Sequence, residues 1–459
     1  MNKQKVIYRL MLLMCVNIML FAATSGTALA ISYDKELSPD GSITDTISGL
    51  LKDESRTYMV VLSQSGRLTI DIDSKSSDMN LEVRDSDDSF LGRKLIKEGG
   101  TRLCHDLAAG TYYLKFENKI GSVSYTCDLS FKSANKTFDR IDNTSIEKAR
   151  KGSTVALGST INGFIAENKK DDYYKVVLPQ SGRLSLNAHS DVAQFDYSLY
   201  DDNDDRIDGL DIYEGDSNVY HDLEAGTYYL RFRYDYEGYG MFSIGTSFKP
   251  AKETYKYKND TINLVRTKAA VPLSKTVKGH IAINDNADVY KYRIPKKGKY
   301  ALRITSKIGS VYIDLRDSKD NLVDSFYHDL GTKTYTLDLK KGTYYICYSK
   351  AYTTPKTGVY TSRLKPAAVG IRRLTPSKKA IKVRWKKGTG NGYELQCSTS
   401  KSFKKNVKTV KIRRAATTSK KIKKLKKGKR YYVRIRTFVK SDGKICRSAW
   451  SKTKSVKVK

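Results

Sequence analysis

The chain has 459 residues, with 84 Lys and Arg against 49 Asp and Glu, giving a formal net charge of +35. That length is too great for one hydrophobic core and points to three or four domains. With 39% hydrophobic residues the chain has the content of an ordinary folded protein, and only 8 Pro argue against long Pro-rich linkers or stalks.

Residues 1–30 have the build of a signal peptide. Lys3, Lys5 and Arg9 precede an apolar core from Leu10 to Ala23, and Ala28-Leu29-Ala30 fits a small-x-small cleavage site. The apolar run is too short for a membrane span. Cys15 follows the bulky Met14 upstream of the better cleavage site, so lipid attachment there is not expected. The chain closes on Ser455-Val456-Lys457-Val458-Lys459, without an apolar tail or sorting motif, so no covalent anchor is expected.

After the leader the sequence repeats with a period of 116. Gly110-Thr111-Tyr112-Tyr113 recurs as Gly226-Thr227-Tyr228-Tyr229 and Gly342-Thr343-Tyr344-Tyr345. Gly66, Gly182 and Gly298 keep the same spacing, as do Tyr58, Tyr174 and Tyr290. A period this long means tandem domains, not a solenoid. Within each repeat the apolar residues alternate, as in Leu68/Ile70/Ile72, Leu184/Leu186/Ala188 and Tyr300/Leu302/Ile304. Alternation of period two reads as strands buried on one face, with glycines supplying turns, and no helical period interrupts it. Several short antiparallel strands per repeat imply a sandwich.

The order of short motifs resembles the bacterial pre-peptidase C-terminal domain. Thr160-Ile161-Asn162-Gly163, Asp171-Asp172-Tyr173-Tyr174, Ser181-Gly182-Arg183-Leu184 and Leu223-Glu224-Ala225-Gly226-Thr227-Tyr228-Tyr229 carry the resemblance best. It covers residues 38–367 in three copies. It implies jelly-roll-type accessory modules of secreted hydrolases, which bind substrate or assist secretion and carry no catalysis.

Residues 368–459 change character. Val383-Arg384-Trp385, Tyr393-Glu394-Leu395, Leu425 to Tyr431 and Ser448-Ala449-Trp450-Ser451 resemble a fibronectin type III domain, and the whole segment is similar to the Lys-rich type III domains of Gram-positive exported proteins. The resemblance makes Trp385 the core Trp and sets Leu425 and Tyr431 around a turn between core strands. This segment holds 32 Lys and Arg against Glu394 and Asp442, whereas residues 31–367 hold 49 basic and 47 acidic residues. The expected architecture is therefore all-β tandem antiparallel sandwiches. A signal peptide (1–30) precedes repeats at 31–133, 134–250 and 251–367 and a basic Ig-like type III sandwich at 368–459.

Candidate sites follow from residue type. The run Lys420, Lys421, Lys423, Lys424, Lys426, Lys427, Lys429 and Arg430 is expected to bind a polyanion, with Ile422 and Leu425 turned inward. Asp201, Asp202, Asp204 and Asp205 offer clustered hard oxygens for Ca²⁺, but the equivalent stretch Asp317-Ser318-Lys319-Asp320 carries a Lys, so a turn is expected rather than a metal site. Tyr234, Tyr236 and Tyr239 form an aromatic loop that could stack on sugar, against the simpler reading of a Tyr-rich hairpin.

His105-Asp106 and His221-Asp222 recur, but the 116-residue register puts Leu337 in the third copy, which points to packing instead of catalysis. Five Cys remain after the leader, an odd number that does not read as a disulfide framework. Cys104 and Cys127 are expected on opposite faces, with Cys127 buried and Cys347 exposed.

Together these features describe an extracellular, non-enzymatic protein without cofactor. Its basic domain holds it on an anionic wall polymer such as teichoic acid. The repeats serve as a spacer or as an arm for an unknown protein or glycan. Nucleic acid is not an expected partner, and no membrane span remains after cleavage. The alternative is an accessory subunit of a separate extracellular hydrolase.

Overall fold

A computed structural model describes residues 31–47, 54–75, 79–118, 121–139, 143–169, 171–233, 239–350 and 357–459. The expected signal peptide lies outside these residues. The regular structure of the described chain is almost entirely strand. In the first repeat, one sheet orders the strands Lys35–Leu37, Ser55–Leu62, Gly110–Asn118, Met79–Asp85 and Phe90–Ile96. Its partner sheet orders Ser42–Ile47, Val123–Ser133, Gly66–Ser74 and Gly99–Leu107. The third repeat pairs two four-stranded sheets in the same way.

Each alternating set turns inward as its period requires. Leu68, Ile70 and Ile72 are buried, and so are Leu184, Leu186 and Ala188, and Tyr300, Leu302 and Ile304. Tyr fills much of these cores, and some of its hydroxyls find partners: Tyr58 and Tyr125 share a hydrogen bond of 2.9 Å, and Tyr360 donates to Asp288 at 2.9 Å, whereas the buried hydroxyls of Tyr174, Tyr292 and Tyr348 have no hydrogen-bond partner among the described residues.

The second repeat departs from its neighbours. Segments that are separate strands in the first repeat fuse here into one strand, Gly182–Asp201. Its first half pairs with Gly240–Pro250 and its second half with Gly226–Arg233. A register shift between Ser190 and Gln194 marks the irregularity where the strand passes from one sheet partner to the other.

Two short helices interrupt the strands without changing the all-β class. Ile146–Lys151 is capped by Ser145, whose side chain accepts from the Lys148 N–H, and Ile262–Arg266 by Thr261, which accepts from the Leu264 N–H. At six and five residues they are too short to leave a periodic signature.

The glycine of the Asn-Gly motif has a steric cause. The strand holding Gly163 pairs with Phe242, and a Cβ on Gly163 would stand 1.9 Å from that ring. Gly279 and Tyr360 repeat the arrangement at 2.5 Å. The ring lies across the bare backbone and closes the sandwich edge.

The modules are joined by a contact that repeats. Asp106 is buried and held by Arg67 at 2.9 and 2.7 Å, and Asp222 is held by Arg183 at 3.0 and 2.7 Å. Their carbonyls accept from the next module, from the Glu167 N–H at 2.8 Å and the Ile283 N–H at 2.7 Å. Asn168 donates to the Tyr112 hydroxyl at 3.0 Å, and Asn284 to the Tyr228 hydroxyl at 2.9 Å. The first Tyr of the first two Gly-Thr-Tyr-Tyr motifs therefore anchors the following module, whereas the Tyr344 hydroxyl accepts from the Lys340 N–H of its own module.

The third junction is different. Lys299 replaces the Arg, Asp338 is exposed, and the Thr389 hydroxyl takes the Lys299 N–H. Cys446 packs into the third core and donates to the Leu273 carbonyl at 3.2 Å.

The last domain pairs a three-stranded sheet, Ile371–Ser377, Ala380–Trp385 and Ser419–Lys423, with a five-stranded one centred on Arg430–Ser441. Trp385, Leu425 and Tyr431 are buried, and the Tyr431 hydroxyl accepts from the Lys426 N–H at 3.0 Å, a tyrosine corner.

Replacing Gly163 with Ala should lower stability by about 1–3 kcal/mol, because the Phe242 ring must leave its seat. Urea denaturation of the wild-type and Gly163→Ala chains measures the loss.

Candidate polyanion-binding surface

The predicted basic run does not form one stripe. Lys420, Lys421, Lys423, Lys424, Lys426, Lys427, Lys429 and Arg430 are all exposed, and Ile422 and Leu425 are buried, as the alternation requires. The fold divides the cations between two adjoining surfaces.

The first surface is the outer face of the three-stranded sheet. Lys382 stands opposite Lys421, Ala380 opposite Lys423, and Arg373 opposite Arg384. Like charges directly across a strand pair repel, so this face carries a standing electrostatic cost that an anion relieves.

The second surface is the end remote from the third repeat. There the Leu425 N–H donates to the Lys379 carbonyl at 3.0 Å, the Gly428 N–H to the Val458 carbonyl at 3.0 Å, and the Lys379 N–H to the Lys459 carbonyl at 3.1 Å. These bonds draw the turn at Lys378 and Lys379, the turn from Lys424 to Lys429, and the strand end at Lys457 and Lys459 into one cluster. Arg373, Lys382, Arg384, Lys378, Lys379, Lys457 and Lys459 were hidden from a linear reading because they come from other strands. Their signal was only the overall cation count.

The domain's acidic residues do not neutralise this surface. Glu394 is buried on the opposite sheet, 2.6 Å from Arg436 and 3.2 Å from Arg447. Burial raises its pKa, but the two guanidiniums outweigh that and hold it below the ordinary range. Arg434 and Arg436 stack on Trp450 at 4.5 and 4.2 Å.

The acidic turn of the second repeat satisfies itself. One Asp201 carboxylate oxygen accepts the N–H groups of Asn203 at 2.8 Å and Asp205 at 3.1 Å. Arg150 bonds Asp204 at 2.7 Å, and Tyr229 donates to Asp202 at 3.1 Å. Asp85 and Asp317 cap the equivalent turns in the same way, and Asp88, Asp204 and Asp320 share a positive φ. The conserved carboxylate thus has a backbone reason in all three copies.

Of the aromatic loop, Tyr234 and Tyr236 lie outside the described residues; Tyr239 is exposed.

The two recurring histidines differ in setting, His105 meeting the next module and His221 its own. His105 Nδ1 lies 2.8 Å from Glu167 of the next module. His221 is buried, with Nε2 3.1 Å from the Tyr197 hydroxyl and Nδ1 3.2 Å from Asp208, and burial lowers its pKa. Leu337 is buried at the third position, as the register implies.

Cys127 is buried and Cys104 exposed. Cys347, expected to be exposed, is half-buried, because the helix Ile262–Arg266 packs over that face with Ile262 and Val265. Burial pushes its thiol up to about 12.

Sequence reasoning missed an acidic cavity of about 500 Å³ between the second and third repeats. Glu224, Asp260 and Asp285 bring carboxylate oxygens within 4.8 Å of one another, a set able to hold a divalent cation. The signal was spread over three segments and two modules. Burial, then Glu224 and Asp260, raise Asp285 to about 7. Burial, then Asp285 and Glu253, push Asp288 well above the carboxylate range. Asp222, at the same junction, is opposed by burial but held below that range by hydrogen bonds from His280, Arg183 and Thr357.

No family model matches the sequence, and no curated protein matches it. Among solved structures, the chain is similar to the pre-peptidase C-terminal domain of a collagenase from Bacillus anthracis, at 21% identity and a TM-score of 0.19, over 21% of this chain and 92% of that one. It is also similar to a two-domain fibronectin type III segment of chicken tenascin, at 19% identity and a TM-score of 0.19, over 38% of this chain and all of that one. A β-1,2-glucanase from Parabacteroides distasonis aligns at 10% identity and a TM-score of 0.18, over 40% of this chain and 32% of that one. The all-β assignment stands on the sheets themselves.

In EDTA, stability should fall as pH rises from about 4 to 7. The native state holds a proton on Asp285 that the unfolded chain has already lost. Asp285→Asn should flatten this fall and raise stability at pH 8 by on the order of 1–3 kcal/mol. Thermal melts across pH measure both.

Asp201→Ala should cost about 1–2 kcal/mol whether or not Ca²⁺ is present, since it frees two backbone donors. A melting shift that appears only with Ca²⁺ would identify a metal site instead.

Proposed function

We propose that this is an extracellular, non-enzymatic protein whose basic C-terminal domain docks on an anionic wall polymer, with the three repeats as an arm. One observation carries the reading. Cations from the sheet face and three separate chain segments converge on the far end and outer face of a single domain, and both its carboxylates lie elsewhere. A net charge of this size held at fixed positions attracts a linear polyanion and releases its counterions.

The repeated junctions support the role of an arm. Each buried Asp is satisfied from both modules, so neighbouring repeats hold a fixed orientation. The sites able to suggest catalysis are occupied otherwise: His221 is enclosed by Tyr197 and Asp208, and His105 by Glu167. Among the described residues no helix is long and apolar enough to cross a membrane.

The chain should sediment with isolated walls at low salt and leave them in about molar NaCl, where charges are screened within roughly 3 Å. Removing residues 368–459 should release it into the medium. Changing Lys423, Lys424, Lys426, Lys427 and Lys429 to Gln should weaken retention in steps without unfolding the domain, whose buried Ile422, Leu425 and Tyr431 are untouched. Retention of the truncated chain would show that the repeats do the holding.

A further inference from the structure

The near-neutral sum over the three repeats conceals unequal modules. Residues 31–133 hold 13 Lys and Arg against 17 acids, and residues 134–250 hold 13 against 20. Residues 251–367 hold 23 against 10. The excess in the third repeat has a location.

Its four-stranded sheet orders Val277–Ile281, Gly358–Pro366, Gly298–Ser306 and Gly331–Leu339. On the outer face Arg303 stands directly opposite Arg363, Lys365 is one step along, opposite Ala301, and Lys278 is opposite Thr361. Directly opposed side chains lie about 4.5–5.5 Å apart at Cβ. Neither guanidinium has an ion pair among the described residues.

The hydroxyls beside them add donors. Thr334 flanks Arg303 on the next strand, and Thr305 and Thr332 share a hydrogen bond of 2.8 Å one row away. Burial, then Arg363 and Arg303, lower the pKa of Lys365, so the three cations feel one another.

The other repeats show that the fold does not demand this. At the equivalent place the first repeat opposes Asp71 to Asp128 and closes Asp71 with Arg102 at 2.6 and 2.9 Å. The second opposes Asn187 to Gly245, with Asn218 on the third strand. A compensated position and a neutral one become, in the third repeat, two unpaired guanidiniums face to face.

We propose that this outer face of the third repeat is a second anion-binding site, with Arg303 and Arg363 gripping a tetrahedral oxyanion, phosphate or sulfate, of a linear polymer. A planar guanidinium fork matches two oxygens of such a group, and two forks side by side with threonine hydroxyls match one group held from both sides. Binding removes the repulsion that the free face carries. A polymer held both here and on the last domain gains by effective concentration, since the two surfaces belong to adjoining modules.

The test uses the full chain and two probes, poly(glycerol phosphate) and dextran sulfate, which separate a phosphate source from a sulfate source. Arg303→Gln with Arg363→Gln should weaken binding of the preferred polymer about tenfold at low salt. It should also reduce the slope of log affinity against log salt by about 1.5, the value for two lost contacts. Arg303→Lys with Arg363→Lys should restore the slope but not the full affinity, because the charge returns without the fork.

A second background, with Lys420, Lys421, Lys423, Lys424, Lys426, Lys427, Lys429 and Arg430 all changed to Gln, isolates this face. Residual binding there should vanish when the two arginines are also changed. Unchanged affinity and slope in the Arg303→Gln, Arg363→Gln chain would overturn the site, whatever the last domain does. Loss with the arginines but none with the eight-residue variant would uphold this site and refute docking by the last domain.

Discussion

Uncompensated positive charge on a small sandwich is the constraint from which the rest follows. The last domain must bury a core of ordinary size while its surface repels itself. It does so by turning most apolar residues inward and by using its one buried carboxylate, Glu394, to tie two arginines on the sheet away from the basic face. The exposed cations are left to solvent and counterions, and the proposed docking would exchange those ions for a polymer. An acidic partner close to Lys421 or Lys423 would have stabilised the fold and removed that capacity.

In the proposed arm, the repeats would have to hold position, since a flexible string of domains would present nothing at a fixed distance. The Arg–Asp pairs at 67 and 106 and at 183 and 222, with Asn168 and Asn284 reaching back to the preceding Tyr hydroxyl, convert sequence repetition into a repeated joint. The joint to the last domain lacks this set and relies on Thr389 and Cys446. The two junctions between repeats also differ, for Lys136 and Lys169 serve Asp172 in one, while Asp285 and Glu253 crowd Asp288 in the next.

Much of the fold was legible because its signal is local and periodic. Leu68, Ile70 and Ile72 announce a strand face by themselves; at the position the register maps onto Leu337, His221 and Leu337 are buried, whereas His105 is partly exposed beside Glu167 of the next module. The tip of each acidic hairpin was also legible, since Asp85, Asp201 and Asp317 bond within their own turns. What escaped was assembled across distance. The fused strand Gly182–Asp201 depends on an irregularity near Ser190, and the exposure of Cys347 depends on a five-residue helix placed over it. The cations Arg373 and Lys382 join the basic run only through strand pairing. Charge summed over three repeats hid the opposed pair Arg303 and Arg363, because the acidic first and second repeats together nearly cancelled the third.

The central claim is that the anionic polymer itself, acting on the basic domain, holds the protein. The most direct measurement compares equilibrium binding of the full chain to isolated Gram-positive walls before and after their phosphodiester polymers are removed with cold hydrofluoric acid. The account predicts that stripping the walls abolishes most binding and that adding back soluble poly(glycerol phosphate) competes with intact walls. Equal binding to stripped and intact walls would contradict it and move the ligand to the remaining glycan or protein.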